Sequence, residues 1–309
     1  MGNLALLLVI LQFFTGALDS SQQQLLGMFN IFEKNYSAAD FASSLNYFIG
    51  PIRNPSVKDL DINARAAIIT DVNSDRVLYA KNAEIRLPMA SITKIMTALV
   101  ALDKYGNQLN TVITVPGEAL DVTGSKMSLS AGEKLTAYSL LKGTLIESAN
   151  DAGMTLAYVV GGTLDQFVNL MNEKASNLGL AQTHFANPIG FDGDDHYSTA
   201  KDLAKLTRIA LENKTFADIV ATPKTTIGDI SGKFVHQLTS TNKLLGQYHN
   251  VIGVKTGTTE EAGESLVAAV TGDSGQKVIA VLLDSPNRFQ EGKKALDWSL
   301  KAYSWIEPL

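Results

Sequence analysis

Apolar residues change their spacing three times along this chain, and each change marks a different kind of element. From residue 66 they come as two short runs, Ala67-Ile68-Ile69-Thr70 and Val77-Leu78-Tyr79-Ala80, around the turn-forming residues 71–75, which predicts a β-hairpin. The spacing then lengthens to three and four. Ile92, Ile95, Met96, Leu99 and Leu102 make one stripe of a long helix that starts at Ser91 and stops before Gly106. Helical patterns follow through residues 137–146, 151–160, 164–178 and 199–211. Beyond residue 250 strand patterns return at 251–256, 265–271 and 277–283, the last two joined by the turn Gly272-Asp273-Ser274-Gly275. A closing helix carries Lys294-Ala295-Leu296, Trp298 and Leu300.

Two strands early, helices in the middle and three strands late predict an α+β fold: one antiparallel sheet of about five strands drawn from both chain ends, with helices on both faces. This main domain is expected over residues 63–309. Ahead of it, residues 19–62 read as a spacer with short amphipathic helices, on the stripes Leu25, Met28, Phe29, Phe32 and Phe41, Leu45, Phe48, until Pro51 and Pro55 break the pattern. Residues 1–18 hold the apolar run Leu4-Ala5-Leu6-Leu7-Leu8-Val9-Ile10-Leu11, then Phe13-Phe14 and the small residues Thr15-Gly16-Ala17. That is the texture of an export signal, and short for a membrane span of about 20 residues. The expected location is the periplasm or the outer face of the cytoplasmic membrane, with the segment either removed or kept as an N-terminal tether.

Composition narrows the chemistry. With 45% hydrophobic and 18% charged residues and a net charge of −5, the 309-residue chain is globular rather than disordered. No basic run exceeds Lys293-Lys294, which argues against nucleic acid as a partner. The absence of cysteine removes disulfides, thiolate nucleophiles and thiolate metal sites together. His184, His196, His236 and His249 lack the H-E-x-x-H spacing, and Asp192-Gly193-Asp194-Asp195 fails the calcium-loop template, so neither a metal nor a cofactor is expected.

Three short strings fall at three distinct places: Ser91-Ile92-Thr93-Lys94 opening the first long helix, Ser148-Ala149-Asn150 between two helices, and Lys255-Thr256-Gly257 on a strand. Singly each is weak, since a serine ahead of an apolar helix is usually an N-cap. Together they describe a reaction centre. Ser91 and Lys94, three apart, project from one face about a turn apart, so the amine reaches the hydroxyl. A serine is a poor nucleophile until a base takes its proton, and Lys94 is a base only when neutral. Burial and a second cation, for which Lys255 is the candidate, would both lower its pKa.

These strings, with Leu87-Pro88-Met89-Ala90, Met96-Thr97-Ala98-Leu99, His184-Phe185-Ala186-Asn187-Pro188, His196-Tyr197-Ser198-Thr199-Ala200 and Ala262-Gly263, resemble the penicillin-interacting serine D-alanyl-D-alanine carboxypeptidases, over residues 66–298. The resemblance implies the β-lactamase/transpeptidase-like architecture, peptidoglycan stem peptides as substrate and β-lactams as covalent inhibitors. It implies that Ser91 is acylated, that Lys94 is its base, that Ser148 relays a proton to the leaving amine and that Asn150 orients Lys94 and the substrate. It gives Lys255 the positive potential and Thr256 the terminal carboxylate, with the N–H groups of Ser91 and Thr258 as oxyanion hole, Gly257 allowing close approach and Arg288 assisting carboxylate recognition. Family members often have Gly at Ala149 and His at Ile189. Typical members also continue into a β-rich domain and a membrane anchor beyond the point where this sequence ends at Leu309. On that ground a D,D-endopeptidase acting on cross-links is the first alternative expectation. A β-lactamase, with Glu147 as the one candidate deacylating base, and a non-catalytic wall-binding or penicillin-sensing module are the others.

Overall fold

The computed structural model describes residues 51–248 and 250–305; residues 1–50, with the expected export signal and most of the expected spacer, lie outside these, as do His249 and residues 306–309. In chain order the strands are β1 (Ile52–Arg53), β2 (Ala66–Asp71), β3 (Val77–Lys81), β4 (Val112–Thr114), β5 (Lys134–Thr136), β6 (Lys224–Gly228), β7 (Val235–Thr239), β8 (Val251–Thr259), β9 (Gly263–Thr271), β10 (Lys277–Ser285) and β11 (Tyr303–Ser304). The helices are α1 (Lys94–Tyr105), α2 (Ala137–Ile146), α3 (Asn150–Gly161), α4 (Leu164–Asn177), α5 (Ala200–Glu212), α6 (Lys214–Val220) and α7 (Arg288–Ala302).

Five strands form one sheet in the order β3-β2-β10-β9-β8, with every pairing antiparallel. The expected α+β architecture is therefore present, with both chain ends meeting where Ile69 of β2 faces Ala280 of β10. Side chains alternate across a sheet, and here the alternation feeds two cores. Ala66, Ile68, Val267, Ala269, Ile279 and Val281 join the core shared with α1–α6. Ala67, Ile69, Leu266, Ala268, Val278 and Ala280 join the core under α7, with Ala295 and Leu296. Because both faces are covered, β2, β9 and β10 read as near-continuous apolar runs rather than as clean alternation.

The stripe expected on α1 is buried in full, from Ile95 and Met96 to Leu99 and Leu102. Each such side chain contributes about 1.5–3 kcal/mol. Of the stretch expected as spacer, residues 51–62 hold β1, which pairs with β11, then a turn in which Val57 N–H donates to Asn54 O, and Leu60 and Ile62, which lie in the α7 core. The periodicity had no signal for three small features, the pairs β4–β5 and β6–β7 and the helix α6. Among the described residues no helix is long and apolar enough to cross a membrane.

How the helices begin separates scaffold from site. Of the seven among the described residues, five are capped by a side chain: Thr136 accepts from Ser139 N, Thr163 from Gln166 N, Thr199 from Asp202 N, Asn213 from Phe216 N and Asn287 from Gln290 N. Each cap is worth about 1 kcal/mol. The two without one are α1 and α3, the helices that open on the serine strings. Ser91 is thus not spent as a cap.

Candidate active site

The site is assembled from four pieces of chain. The first is a 3-10 turn, Ala90–Thr93, that leads into α1. Such a turn has three residues per revolution, so residues three apart stand in line, and Lys94 Nζ lies 2.9 Å from Ser91 Oγ. Sequence reasoning placed both on a regular helix; the tighter turn aligns them more directly. Ala90 ahead of Ser91 has φ +47°, a left-handed conformation that costs a non-glycine residue about 1–2 kcal/mol.

Lys94 has none of its surface exposed. Burial, and after it the charge of Lys255, push its ammonium well below the ordinary lysine range. Its nitrogen also donates to Ile189 O at 2.7 Å, an acceptor that stands 3.5 Å from Ser91 Oγ. Sequence reasoning missed this partner because a backbone carbonyl belongs to every residue type. The contact is made by the carbonyl and so does not depend on which side chain stands at 189.

The loop that presents Ile189 O is the second piece. Asn187 Oδ1 accepts from the N–H groups of Gly190 at 2.7 Å and Phe191 at 3.0 Å, which curls the chain. Gly190 has φ +92°, and a Cβ there would stand 1.9 Å from Ala90 O, so only glycine fits. Farther along the loop, Asp192 accepts from Thr259 Oγ1 at 2.6 Å and ties it to the end of β8.

The third piece is β8 at the sheet edge. Lys255 pairs with Val267 and Gly257 with Ser265, so both point to the face shared with α1. Lys255 is fully buried, donates to Thr256 O at 3.0 Å, and is lowered to about 7 by burial and then by Arg288. A Cβ on Gly257 would stand 2.9 Å from Ala90 Cβ and 3.0 Å from Ser91 N. Thr256 Oγ1 donates to Thr241 Oγ1 at 2.7 Å, and Thr258 Oγ1 to Gly257 O at 2.8 Å. Arg288 opens α7, donates to Gly257 O at 2.8 Å and also bonds Thr258 Oγ1, while its buried Nε has no partner among the described residues.

Ser148 and Asn150 form the fourth piece. Ser148 is buried with φ +63°, and its hydroxyl makes no hydrogen bond among the described residues. Asn150 Nδ2 donates to Thr123 O at 2.6 Å and its N–H to Ser125 O at 2.7 Å, so the amide holds the 123–125 segment rather than Lys94. Asp151 continues this hold, accepting from Met127 N and Leu129 N at 3.1 and 3.0 Å. The half-buried Glu147 beside Ser148 is raised by burial and then by Asp151. Among the described residues no three His, Asp or Glu side chains converge as a metal site would require.

A buried lysine held well below its ordinary range against a serine hydroxyl, a second depressed lysine on an adjoining edge strand and a strained turn between two glycines can activate a hydroxyl and hold an extended peptide beside it. A family model described as D-alanyl-D-alanine carboxypeptidase, peptidase S11, matches residues 53–287. The chain is 34% identical to D-alanyl-D-alanine carboxypeptidase DacF of Bacillus subtilis over 79% of its own length and 64% of that protein's. It is also 34% identical to DacC of Escherichia coli, over 82% of its length and 65% of the relative's, so it spans just under two thirds of these two. Among solved structures, the Streptomyces K15 DD-transpeptidase superposes with a TM-score of 0.76 at 32% identity, covering 79% of this chain and 100% of that one.

Proposed function

The chain belongs to the peptidase S11 family of D-alanyl-D-alanine carboxypeptidases, and from that premise we propose that it is an exported serine D,D-peptidase acting on peptidoglycan stem peptides. Lys94 carries the proposal: its Nζ is buried, held below the lysine range and 2.9 Å from Ser91 Oγ. Ser91 attacks the carbonyl of the penultimate D-alanine while Lys94 takes the hydroxyl proton. The N–H groups of Ser91 and Thr258 hold the oxyanion. Lys94 hands that proton to Ser148, whose uncommitted hydroxyl gives its own to the departing D-alanine amine, leaving an ester on Ser91 and Lys94 again neutral. Water then attacks the ester, Lys94 takes its proton and returns it to Ser91 Oγ, and the shortened peptide leaves with the serine restored. Asn150 orients the substrate through its carboxamide oxygen. Lys255, Thr256 and Arg288 hold the terminal carboxylate, Thr256 turning its proton from Thr241 toward the ligand.

A β-lactam presents its amide carbonyl to the same oxygen and stops at the ester. Asp151 and Asp192 are committed to their own hydrogen bonds, so turnover of a chromogenic cephalosporin is expected to be slow. Fast turnover abolished by Glu147→Gln would support the β-lactamase reading instead. The whole-length match to a DD-transpeptidase favours one second reading, transfer of the acyl group to an amine.

The test is labelling with a fluorescent penicillin, then digestion of defined muropeptides with and without an acceptor amine. A covalent adduct that survives denaturation and disappears in Ser91→Ala, together with D-alanine release from monomeric pentapeptide, is expected. Splitting of a cross-linked dimer would mark an endopeptidase, and amine incorporation a transpeptidase. No adduct on the intact protein, or an adduct on Ser91→Ala, overturns the reading. The mass of the mature N-terminus tests export.

A further inference from the structure

Behind the nucleophile turn lies a chain of hydrogen bonds to which the reaction above assigns no part. Ala186 N–H donates to His196 Nδ1 at 3.0 Å. A backbone N–H can only donate, so Nδ1 is bare and the ring proton is on Nε2. That nitrogen lies 2.7 Å from Thr93 Oγ1, and the Thr93 hydroxyl donates at 2.7 Å to Ala90 O. Every link therefore points one way, from the 186–196 loop into the turn. Thr93 is wholly buried and His196 2% exposed, so water does not compete.

The last acceptor is what gives the chain its consequence. Ala90 C=O and Ser91 N–H belong to one planar trans peptide and point in opposite directions. Holding Ala90 O therefore aims Ser91 N–H. The conformation is a costly one to hold, since Ala90 has φ +47°, and Gly190 packs close against the carbonyl. We propose that His196 is a positioning residue for the oxyanion hole, acting through the Thr93 hydroxyl on the Ala90–Ser91 peptide. Neutrality of the ring suits the role: burial, then the neighbouring His184 and Lys94, lower it to about 4 against the opposing pull of Asp192. The inference rests on the acyl-enzyme reading and adds to it two residues that touch no substrate.

The test compares Thr93→Val, which keeps the volume and removes the hydroxyl, with Thr93→Ser, which keeps the hydroxyl. The per-site acylation rate constant is measured by stopped-flow labelling with fluorescent penicillin, normalised by active-site titration, beside KM for a D-Ala-D-Ala peptide. Because a lost oxyanion donor costs about 100-fold or more and a misaimed one less, Thr93→Val is expected to acylate about tenfold to 100-fold more slowly. KM should stay within about twofold and Thr93→Ser within about threefold of wild type, a kcat-type pattern that loss of ground-state binding would not produce. Equal rates in wild type and Thr93→Val, a loss confined to KM, or a serine variant as slow as the valine one overturns the inference. If Thr93→Val does not fold, His196→Gln, which keeps a donor at the ε position, is compared with His196→Met by the same measurements. Equal rates for those two overturn it as well. If the wild-type protein itself forms no adduct, it is the function reading that has failed.

Discussion

Gly257→Ala asks most directly whether edge strand and nucleophile turn are fitted to each other. The added methyl would meet Ala90 Cβ at 2.9 Å and both Met89 O and Ser91 N at 3.0 Å, where ordinary contact is 3.4–4 Å. Two of these atoms are backbone and cannot swing aside. The turn has no room to retreat either, since Gly190 already abuts Ala90 O from the loop side. Strand and turn must part by roughly half an ångström. Overpacking of this kind costs about 1–3 kcal/mol in stability. The catalytic effect should be larger in proportion, because the parting separates the N–H groups of Ser91 and Thr258, and a displacement near 1 Å can cost about 100-fold. Urea denaturation and the second-order rate of penicillin acylation give the two numbers. Gly117→Ala, where nothing lies within 4 Å, is the control expected to change neither. Acylation by Gly257→Ala within about threefold of wild type, at unchanged stability, would refute the close-fit argument.

Lys94→Met should abolish acylation while leaving urea stability equal or higher, because it removes a buried amine and keeps its volume; retained acylation would sink the base assignment. Stability should also rise with pH between about 7 and 10.5. Lys255 is lowered to about 7 when folded and recovers the ordinary value when unfolded, so across that window the unfolded chain binds more protons. Its contribution is complete above the unfolded value and lost as pH falls through the folded one, with a slope of up to about 1.4 kcal/mol per pH unit that Lys255→Met should flatten. Glu133→Ala should destabilise by about 1–3 kcal/mol, since it leaves the buried His236 Nε2 without the hydrogen-bond partner it has at 2.6 Å. Hydrogen exchange should then quicken at residues 125–129, because His236 also bonds Met127 O.

What could be read from the sequence follows from what a periodic pattern records. Helices long enough to show a full stripe, such as α1 and α5, and strands buried on both faces, such as β9 and β10, announce themselves. The three-residue strands β4 and β5 are too short to carry a period and exist because they pair with each other. The site divides the same way. Ser91, Lys94 and Lys255 were legible because the proposed chemistry needs those side chains. Ile189 was not, since its contribution is a carbonyl, and neither were His196 and Thr93, whose link spans 103 positions and exists only after the chain has folded. Asn150 was legible as a residue, but its bond to Thr123 O depends on where an irregular loop comes to rest.

The partnership of Asp71 with Val278 in neighbouring strands also has a consequence for synthesis. The other three pairings of the sheet join strands consecutive in the chain, so this one closure waits longest for synthesis. While a ribosome is still adding the 200s, the segment bearing Ser91 has been made but has neither the strand that would carry Lys255 nor the neighbour that β2 needs. On the proposed reading, the reactivity of Ser91 should therefore arrive only as the final hairpin docks.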